Sequence, residues 1–300
     1  MRKLHYHLVD VFTDRRFGGN PLAVFTNGRG LSTETMQAIA KELNLSETTF
    51  VLPPDDPAND WRVRIFTPAA ELPMAGHPTV GTSFVLAWEH LVSVSEQQPG
   101  IRLEENVGLI PVTFTFTDGQ PVMATMQQLT PQFGPVFDDR ETIAAMLSLE
   151  PAALDDYPLQ VVSCGTPFFI VPLKTLDAVR NIRLRIDIWE RALANFASSK
   201  VFVFTQQTEY PGSTVHSRMF APSLGIREDP ATGAASGPLG CYLVKYGLAA
   251  DKPAVIVSEQ GIEMGRPSFI HIRIEQTGGQ ITGVFVGGQC VYVGQGQIEI

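Results

Sequence analysis

The sequence has few cysteines and no long apolar run. Its three cysteines are an odd number and lie far apart, so they form neither a disulfide framework nor a zinc-binding pattern. The apolar stretches are interrupted well short of a membrane span. The first residues lack the apolar region and cleavage site of a signal peptide. We therefore expect a soluble protein of the reducing cytoplasm, with no membrane partner.

Basic charge is also scarce. Lysine and arginine total 22 against 31 acidic residues, which gives a net charge of -9. A nucleic-acid partner requires a basic surface, so this balance argues against one. The glycine-rich stretches lack the spacing of dinucleotide- and phosphate-binding loops, and the histidines lack metal-ligand spacing. We expect no nucleotide, metal or other cofactor.

The length is that of two domains, since 300 residues exceed one ordinary core. Proline, glycine and aspartate cluster in LTPQFGPVFDD, at residues 129–139, and this composition indicates a join. We predict an N-terminal domain of residues 1–130 and a C-terminal domain of residues 131–285. A last strand segment, residues 286–300, is predicted to return to the first domain.

Short segments of the first half recur in the second half, in the same order and about 150 residues later. The clearest pair is RIFTP at 64–68 with RMFAP at 218–222. Because five such pairs keep their order, the sequence indicates an internal duplication. The other four pairs are GNPLAVF with GTPFFIV, ETTFVL with SKVFVF, HPTVG with DPATG, and DGQPVMATM with GGQITGVFV.

Each half predicts short strands and two kinds of helix. Segments such as PLAVF and TTFVLP are rich in β-branched and aromatic residues, which is typical of strands. STETMQAIAKELN has a capping residue and helical apolar spacing, so it predicts an amphipathic outer helix. TVGTSFVLAWEHL is apolar nearly all round and predicts a buried helix, with GAASGPLGCYLVKYGL as its counterpart. We predict an α+β unit, mostly antiparallel, used twice.

One repeated pair carries polar chemistry. His77 and Asp229 each precede a proline, and both pairs stand immediately before the predicted buried helix. Such a helix start has free N–H groups and a positive dipole end, which suit a carboxylate or a developing anion. The alternative for Asp229 is an ordinary helix cap, and for His77 a structural role. We expect the two helix starts to face each other across one cleft.

Glu47 is the third candidate, and it belongs to one half only. Its counterpart in the repeat is Ser199. A carboxylate at a strand end beside hydroxyl groups is suited to acid–base work when it is desolvated. The alternative is a capping glutamate or a solvated loop charge, and the residues alone favour this alternative.

The motifs together resemble the PhzF family of phenazine-biosynthesis isomerases, over nearly the whole chain. The segments that carry the resemblance are FTDRRFGGNPLAV, LNLSETTFV, AGHPTVG, SRMFAPSLGIREDPATGAASG and VGGQCVYVGQGQIEI. The resemblance implies the fold of diaminopimelate epimerase. In that fold, two similar domains each wrap a curled, mostly antiparallel sheet around a central buried helix.

The resemblance also implies a cofactor-independent isomerase that acts on a small carboxylate-bearing metabolite and often forms a homodimer. The family's catalytic glutamate matches Glu47, which would move a proton between two carbons. The family's histidine matches His77 and its aspartate matches Asp229, which would orient the substrate and assist. The substrate-binding positions implied are Asn20, Gly76, Gly233, Ala234 and Ala235.

One departure affects the substrate. The family commonly has serine where this chain has Ala234, so a hydroxyl group expected near the substrate is missing. Two alternatives stay open. One is a two-base racemase or epimerase of the same fold, although residues 75–82 and 229–237 contain no cysteine to act as its bases. The other is a small-ligand-binding protein without catalysis.

Overall fold

The computed structural model describes residues 1–249, 251 and 253–300. They form two units, the first of residues 1–127 and 286–300 and the second of residues 128–285. Among the helices of these ranges, none combines the length and the apolar character that a membrane span requires.

The first unit is a mixed sheet with two helices. Strand β2 pairs with β3, and β4 with β6, in parallel, while the other neighbours pair antiparallel. A parallel pair needs a crossover, and α1 and α2 fill the two crossovers. The elements are β1 (Lys3–Val11), β2 (Asn20–Phe25), α1 (Thr33–Leu43), β3 (Glu47–Leu52), β4 (Trp61–Phe66), β5 (Glu71–Leu72), α2 (Gly76–Trp88), β6 (Gly100–Glu105), β7 (Gly108–Thr117) and β8 (Gln120–Gln128).

Helix α1 forms where the sequence analysis predicts it. The Ser32 hydroxyl accepts the backbone N–H of Thr35 at its start, and Asn44 ends it with a left-handed φ of 51°. Its apolar face packs on aromatic side chains of the sheet. Together these side chains form an apolar layer that covers one face of β2–β4. The layer consists of Leu4, Phe25, Met36, Ile39, Ala40, Phe50 and Phe66.

Helix α2 is buried along nearly its whole length, as predicted. It packs on β1, β2 and β3. Gly81 permits the close approach, since a Cβ there would lie 2.6 Å from Cγ2 of Val11 and 2.7 Å from Cδ2 of Leu22. The helix is therefore pressed against the sheet face opposite α1.

The second unit repeats the pairing order of the first. Here the parallel pairs are β11 with β12 and β13 with β15, and α6 fills the second crossover. The predicted α+β class is thus confirmed. The elements are β9 (Gln132–Val136), α3 (Arg140–Leu147), β10 (Gln160–Ser163), β11 (Pro167–Pro172), α4 (Leu176–Arg180), α5 (Ile186–Leu193), β12 (Val201–Thr205), β13 (Val215–Ala221), β14 (Ile226–Asp229), α6 (Gly233–Lys245), β15 (Ala254–Gln260), β16 (Ser268–Thr277) and β17 (Gln280–Gly288).

The last strand, β18 (Cys290–Glu299), pairs antiparallel with β1 in the first unit. A bulge between Leu8 and Val9 interrupts the register. The C-terminal segment is therefore part of the first unit's sheet.

A repeated ion pair marks the internal duplication in three dimensions. Arg64 binds both carboxylate oxygens of Glu71, at 2.8 and 2.6 Å. Arg218 binds Glu228 in the same two-bond manner, at 2.8 Å for each bond. Each guanidinium also lies about 5 Å from the aromatic ring two residues on, at Phe66 and Phe220.

Two details of the predicted pattern are wrong. The described residues of the second unit form three outer helices, α3 to α5, where one was expected. They pack around a separate apolar cluster that includes Ile143, Leu147 and Trp189, and burial of these side chains stabilises the additional helices.

The other error concerns the helix starts. Asp229 and Pro230 precede α6, as expected, because Asp229 is still paired to Met219 as the last residue of β14. In the first unit α2 begins at Gly76, ahead of His77 and Pro78. A proline in the first turn costs no hydrogen bond, so the helix begins before it.

Candidate active site

Glu47 and His77 meet in the first unit. Oε2 of Glu47 lies 3.3 Å from Nε2 of His77. Both residues are buried, with 8% of Glu47 and 3% of His77 exposed. The two atoms are close but do not meet in hydrogen-bond geometry. A small reorientation of either side chain would let this carboxyl group and imidazole share a proton.

Strand geometry explains why the two side chains meet. Successive strand residues point to opposite faces, so Glu47 and Thr49 share the face that α2 covers. The Thr49 hydroxyl lies 2.8 Å from the Thr82 hydroxyl of α2, which ties strand to helix. Glu47, two residues earlier, therefore faces the first turn of the helix, where His77 lies.

His77 is a neutral imidazole at ordinary pH. Burial disfavours its charged form and lowers the pKa of His77 to about 3. A neutral ring has one N–H donor and one acceptor nitrogen. Once the two groups align, His77 with its proton on Nε2 can donate to the Glu47 carboxylate, and His77 with Nε2 free can accept from the Glu47 carboxyl group.

The start of α2 has no side-chain cap. Three outer helices are capped by Ser32, Asp139 and Thr175, whereas the residue before α2 is Ala75, in extended conformation. The first backbone N–H groups of a helix have no partner inside it. In α2 these belong to Gly76 and His77, both buried. The helix start therefore presents donors and a positive dipole end beside Glu47.

Asn20 lies at the same end of the sheet as Glu47. It is the first residue of β2 and is fully buried. In the parallel β2–β3 pair Leu22 is opposite Glu47. Asn20 comes two residues before Leu22 on β2, so it lies just past the position of Glu47 at this end of the sheet. The structure thus brings together four predicted residues in the first unit: Asn20, Glu47, Gly76 and His77.

Asp229 belongs to the second unit. Its Oδ2 accepts the Thr232 hydroxyl at 2.5 Å, and 5% of the residue is exposed. Thr232 precedes α6 but its side chain makes no cap bond to the helix. Thr232 occupies the N-cap position of α6, so Asp229 lies three residues before the cap and bonds to the side chain of the cap residue.

Gln260 is a site residue that the sequence analysis missed. Its Nε2 donates to the Asp229 carbonyl at 2.7 Å and to the Thr232 hydroxyl at 2.9 Å. Its Oε1 accepts the Thr232 backbone N–H at 3.1 Å. This buried amide fixes the segment from Asp229 to Thr232. The one available signal is a polar residue at the end of the apolar strand AVIVSEQ.

The first turn of α6 holds the other predicted binding residues. Gly233, Ala234 and Ala235 are its first three residues, and Ala234 is the one that is partly exposed. The backbone N–H of Ala235 bonds to the Thr232 carbonyl at 3.1 Å. Its N–H group is thus already used, which leaves those of Gly233 and Ala234 as the candidate donors.

The cysteines do not form a two-thiol arrangement. Sγ of Cys164 lies 3.8 Å from Sγ of Cys241, and both residues are buried in the second unit. Their contact and burial raise the pKa of the Cys164 thiol, which disfavours the thiolate. A two-thiol racemase needs one thiol on each side of a substrate carbon, and two thiols in mutual contact do not provide that.

His216 is a buried charged group in the second unit. Nδ1 lies 2.8 Å from Oε1 of Glu259, and Nε2 lies 2.8 Å from Oε1 of Glu263. Burial opposes the imidazolium, but both bonds and both carboxylate charges outweigh it and raise the pKa of His216 to about 9. Among the described residues no group of three or more His, Cys, Asp or Glu has metal-binding geometry.

His216 makes a pH-dependent contribution to stability. Its folded pKa is about 9 and its unfolded pKa is roughly 6.5, so the contribution is complete below about pH 6.5 and is lost as the pH rises through 9. We expect His216→Gln to lower the free energy of unfolding on the order of 3 kcal/mol at pH 6 and much less at pH 10. Urea unfolding at both pH values measures this. The exposed His5→Gln is the control, and an equal loss at both pH values would contradict the assignment.

Comparison with known proteins places these features in a family. The model of the PhzC-PhzF family, described as phenazine biosynthesis-like protein, matches residues 9–296. The chain is 37% identical over 306 residues to an uncharacterised isomerase of Mesorhizobium japonicum, with 100% of both chains covered. It is 35% identical over 299 residues to the trans-2,3-dihydro-3-hydroxyanthranilate isomerase of Pseudomonas fluorescens, with 99% of each covered. A crystal structure of a PhzF-family protein of Bacillus anthracis resembles it with a TM-score of 0.91, at 27% identity and 100% coverage of both chains.

Proposed function

The chain belongs to the PhzF family and is an isomerase, and on that premise we propose that the carboxylate of Glu47 moves a proton between two carbons of a small carboxylate-bearing metabolite. The observation that carries the proposal is the buried pair of Glu47 and His77, with 3.3 Å between Oε2 and Nε2. General acid–base catalysis by a positioned group contributes about 100- to 10,000-fold.

In the proposed step the Glu47 carboxylate removes a proton from one carbon of the substrate. The electron pair of that C–H bond moves into the unsaturated system, and the Glu47 carboxyl group returns the proton to another carbon. Glu47 ends as it began, and the atoms of the substrate are conserved. His77, held neutral by burial, orients the carboxylate through Nε2. This sequence requires no added oxidant, reductant or cofactor.

The charge that develops during the step needs donors near Glu47. The N–H groups of Gly76 and His77 at the start of α2 are suited to this, because they are buried and fixed before the substrate binds. We assign them to the substrate's carboxylate or to the developing anion, with Asn20 as a further polar contact. Gly233 and Ala234 are assigned to substrate binding because their N–H groups are the candidate donors in the first turn of α6.

The substrate is proposed to be a cyclic or unsaturated amino or hydroxy acid. The relative from Pseudomonas fluorescens is named for trans-2,3-dihydro-3-hydroxyanthranilate, which belongs to this class. Ala234 stands where serine is common in the family. We therefore propose that the substrate of this chain carries a different substituent at the position that faces Ala234. Homodimer formation, a cytoplasmic location and a role in phenazine synthesis stay predictions.

Hydrogen exchange with solvent tests the proposal directly. The chain is incubated in deuterium oxide with trans-2,3-dihydro-3-hydroxyanthranilate and with a panel of cyclic amino and hydroxy acids. We expect deuterium to enter the isomerised product at one carbon, because a carboxyl proton can exchange with solvent between removal and return. Isomerisation with no exchange in any substrate, together with full activity of the Glu47→Gln variant, would refute it.

We also propose that Asp229 takes part in the same reaction. Asp229→Asn keeps the shape of the side chain but removes its charge, so turnover is expected to fall by roughly 10- to 100-fold. The melting temperature should change little, since an amide oxygen still accepts the Thr232 hydroxyl. Steady-state kinetics and thermal unfolding measure the two effects. A large drop in melting temperature with turnover retained would instead favour a purely structural aspartate.

A further inference from the structure

Glu105 is a buried carboxyl group that the mechanism above does not use. It is the last residue of β6, and 6% of it is exposed. Its Oε1 lies 2.5 Å from the hydroxyl oxygen of Thr79, in the first turns of α2. Within that helix Thr79 comes two residues after His77. Sequence analysis gave no sign of it.

The proton count at Thr79 favours one form of Glu105. The Thr79 hydroxyl oxygen also lies 2.6 Å from the Ala75 carbonyl oxygen. A hydroxyl group has one hydrogen to donate, and a carbonyl oxygen can only accept. One hydrogen cannot serve both contacts. Both contacts hold a hydrogen when the Thr79 hydroxyl points to Ala75 and Glu105, as a neutral carboxylic acid, donates to Thr79.

The surroundings of Glu105 agree with this neutral form. Burial is the main influence and raises the pKa of Glu105 to about 8, although a bond donated by Thr79 to the ionised carboxylate would lower it in part. The neighbouring strand β7 carries no charged residue, and α2 carries only His77. On β6, Arg102 and Glu104 point to the opposite face from Glu105, because strand side chains alternate. The charged groups nearby on β4 and β6 bind partners other than Glu105. Arg62 pairs with Asp55, and Arg64 pairs with Glu71. Glu104 accepts the backbone N–H groups of Asp55 and Asp56.

We propose that the protonated carboxyl group of Glu105 is a positioning group, which fixes the first turn of α2 and thereby holds His77 against Glu47. The chain of bonds from Glu105 through Thr79 to Ala75 spans the turn that contains Gly76 and His77. Once Glu105 loses its proton, Thr79 must donate to the carboxylate. The Thr79 and Ala75 oxygen atoms then have no hydrogen between them and repel each other. The first turn of α2 shifts as a result.

This inference rests on the proposed function, since it concerns the same pair of groups. It predicts that activity falls as the pH rises through about 8, the pKa of Glu105. In Glu105→Gln the amide N–H donates to Thr79 at every pH, so the variant should keep activity and lose this alkaline decline. Glu105→Ala removes the donor, and its kcat should fall on the order of 10- to 100-fold with KM little changed.

The experiment compares pH profiles of turnover from pH 6 to 10 for the unchanged chain, Glu105→Gln and Glu104→Gln. Glu104 is the matched control, because it is adjacent in sequence but faces away and contacts different groups. The alkaline decline should persist in Glu104→Gln and vanish in Glu105→Gln. An unchanged decline in Glu105→Gln would overturn the proposal.

A measurement that needs no substrate separates this proposal from the proposed function. The backbone amide NMR signals of Gly76 and His77 should shift with a midpoint at about pH 8 in the unchanged chain. They should not do so in Glu105→Gln. His77 does not interfere, since its own pKa is about 3. If these signals titrate as expected while Glu47→Gln stays active, the assigned reaction fails and the positioning contact stands. If they do not titrate, the positioning role is wrong whatever the reaction is.

Discussion

Turnover of the Glu47→Gln variant is expected to fall by about 100- to 10,000-fold relative to the unchanged chain. Glutamine matches glutamate in size and can still contact Nε2 of His77, but it cannot accept a proton from carbon. The first turn of α2 and the fold around it should therefore be preserved. Deuterium incorporation into the product, followed by NMR or mass spectrometry, measures the loss.

Glu42→Gln is the matched control for this experiment. Glu42 lies on α1, five residues before Glu47, and is exposed to solvent. The same chemical change at this position should leave exchange and turnover unaltered. Substrate affinity in Glu47→Gln should be close to that of the unchanged chain, because the change acts mainly on the transition state. Normal exchange in Glu47→Gln would show that Glu47 is not the base.

The second large effect concerns Gly261, which supports the segment that carries Asp229. Gly261 has a left-handed φ of 74°, and a Cβ there would lie closer than 3.0 Å to the backbone oxygens of Pro230 and Arg266. Alanine at this position must adopt an unfavourable backbone conformation and must also displace Pro230. We expect Gly261→Ala to lower the free energy of unfolding by about 1–3 kcal/mol beyond the backbone cost alone.

Gly265→Ala isolates that backbone cost. Gly265 has a similar φ of 69°, but nothing lies within 4 Å of a Cβ built there. Alanine at this position should destabilise by about 1–2 kcal/mol. Urea unfolding of both variants gives the difference between them. Equal losses would mean that the backbone oxygens around Gly261 move aside at little cost, and that the Asp229 segment is not tightly held.

The sequence predicted the helices well where the signal for a helix lies within the helix itself. The cap Ser32 and the apolar spacing of residues 33–43 predict α1, because both act within a few residues of chain. The apolar character of residues 76–88 predicts a buried helix wherever it packs. The predicted start of α2, by contrast, was wrong. Proline is tolerated within a first helical turn, so it does not mark the residue at which that turn begins.

The candidate site could be predicted only in part. The repeat pointed to His77 and Asp229, and the family resemblance added Glu47. The structure brings Glu47 and His77 together. Gln260 and Glu105 were not found, because their partners lie far away in sequence: Gln260 bonds to Asp229 and Glu105 to Thr79. Neither residue stands in a motif, and a buried polar side chain is recognised only once its burial is known.

The sequence by itself determined the α+β class, the two similar halves, the buried helix in each and the residue types available for proton transfer. These follow from composition, periodicity and repetition, which are properties of short stretches of chain. Only the tertiary structure decided that Glu47 contacts His77, that Asp229 bonds to Thr232 at the start of α6, and that Glu105 is buried against Thr79. Distance and burial set these features, and they arise when residues remote in the chain are packed together and removed from water.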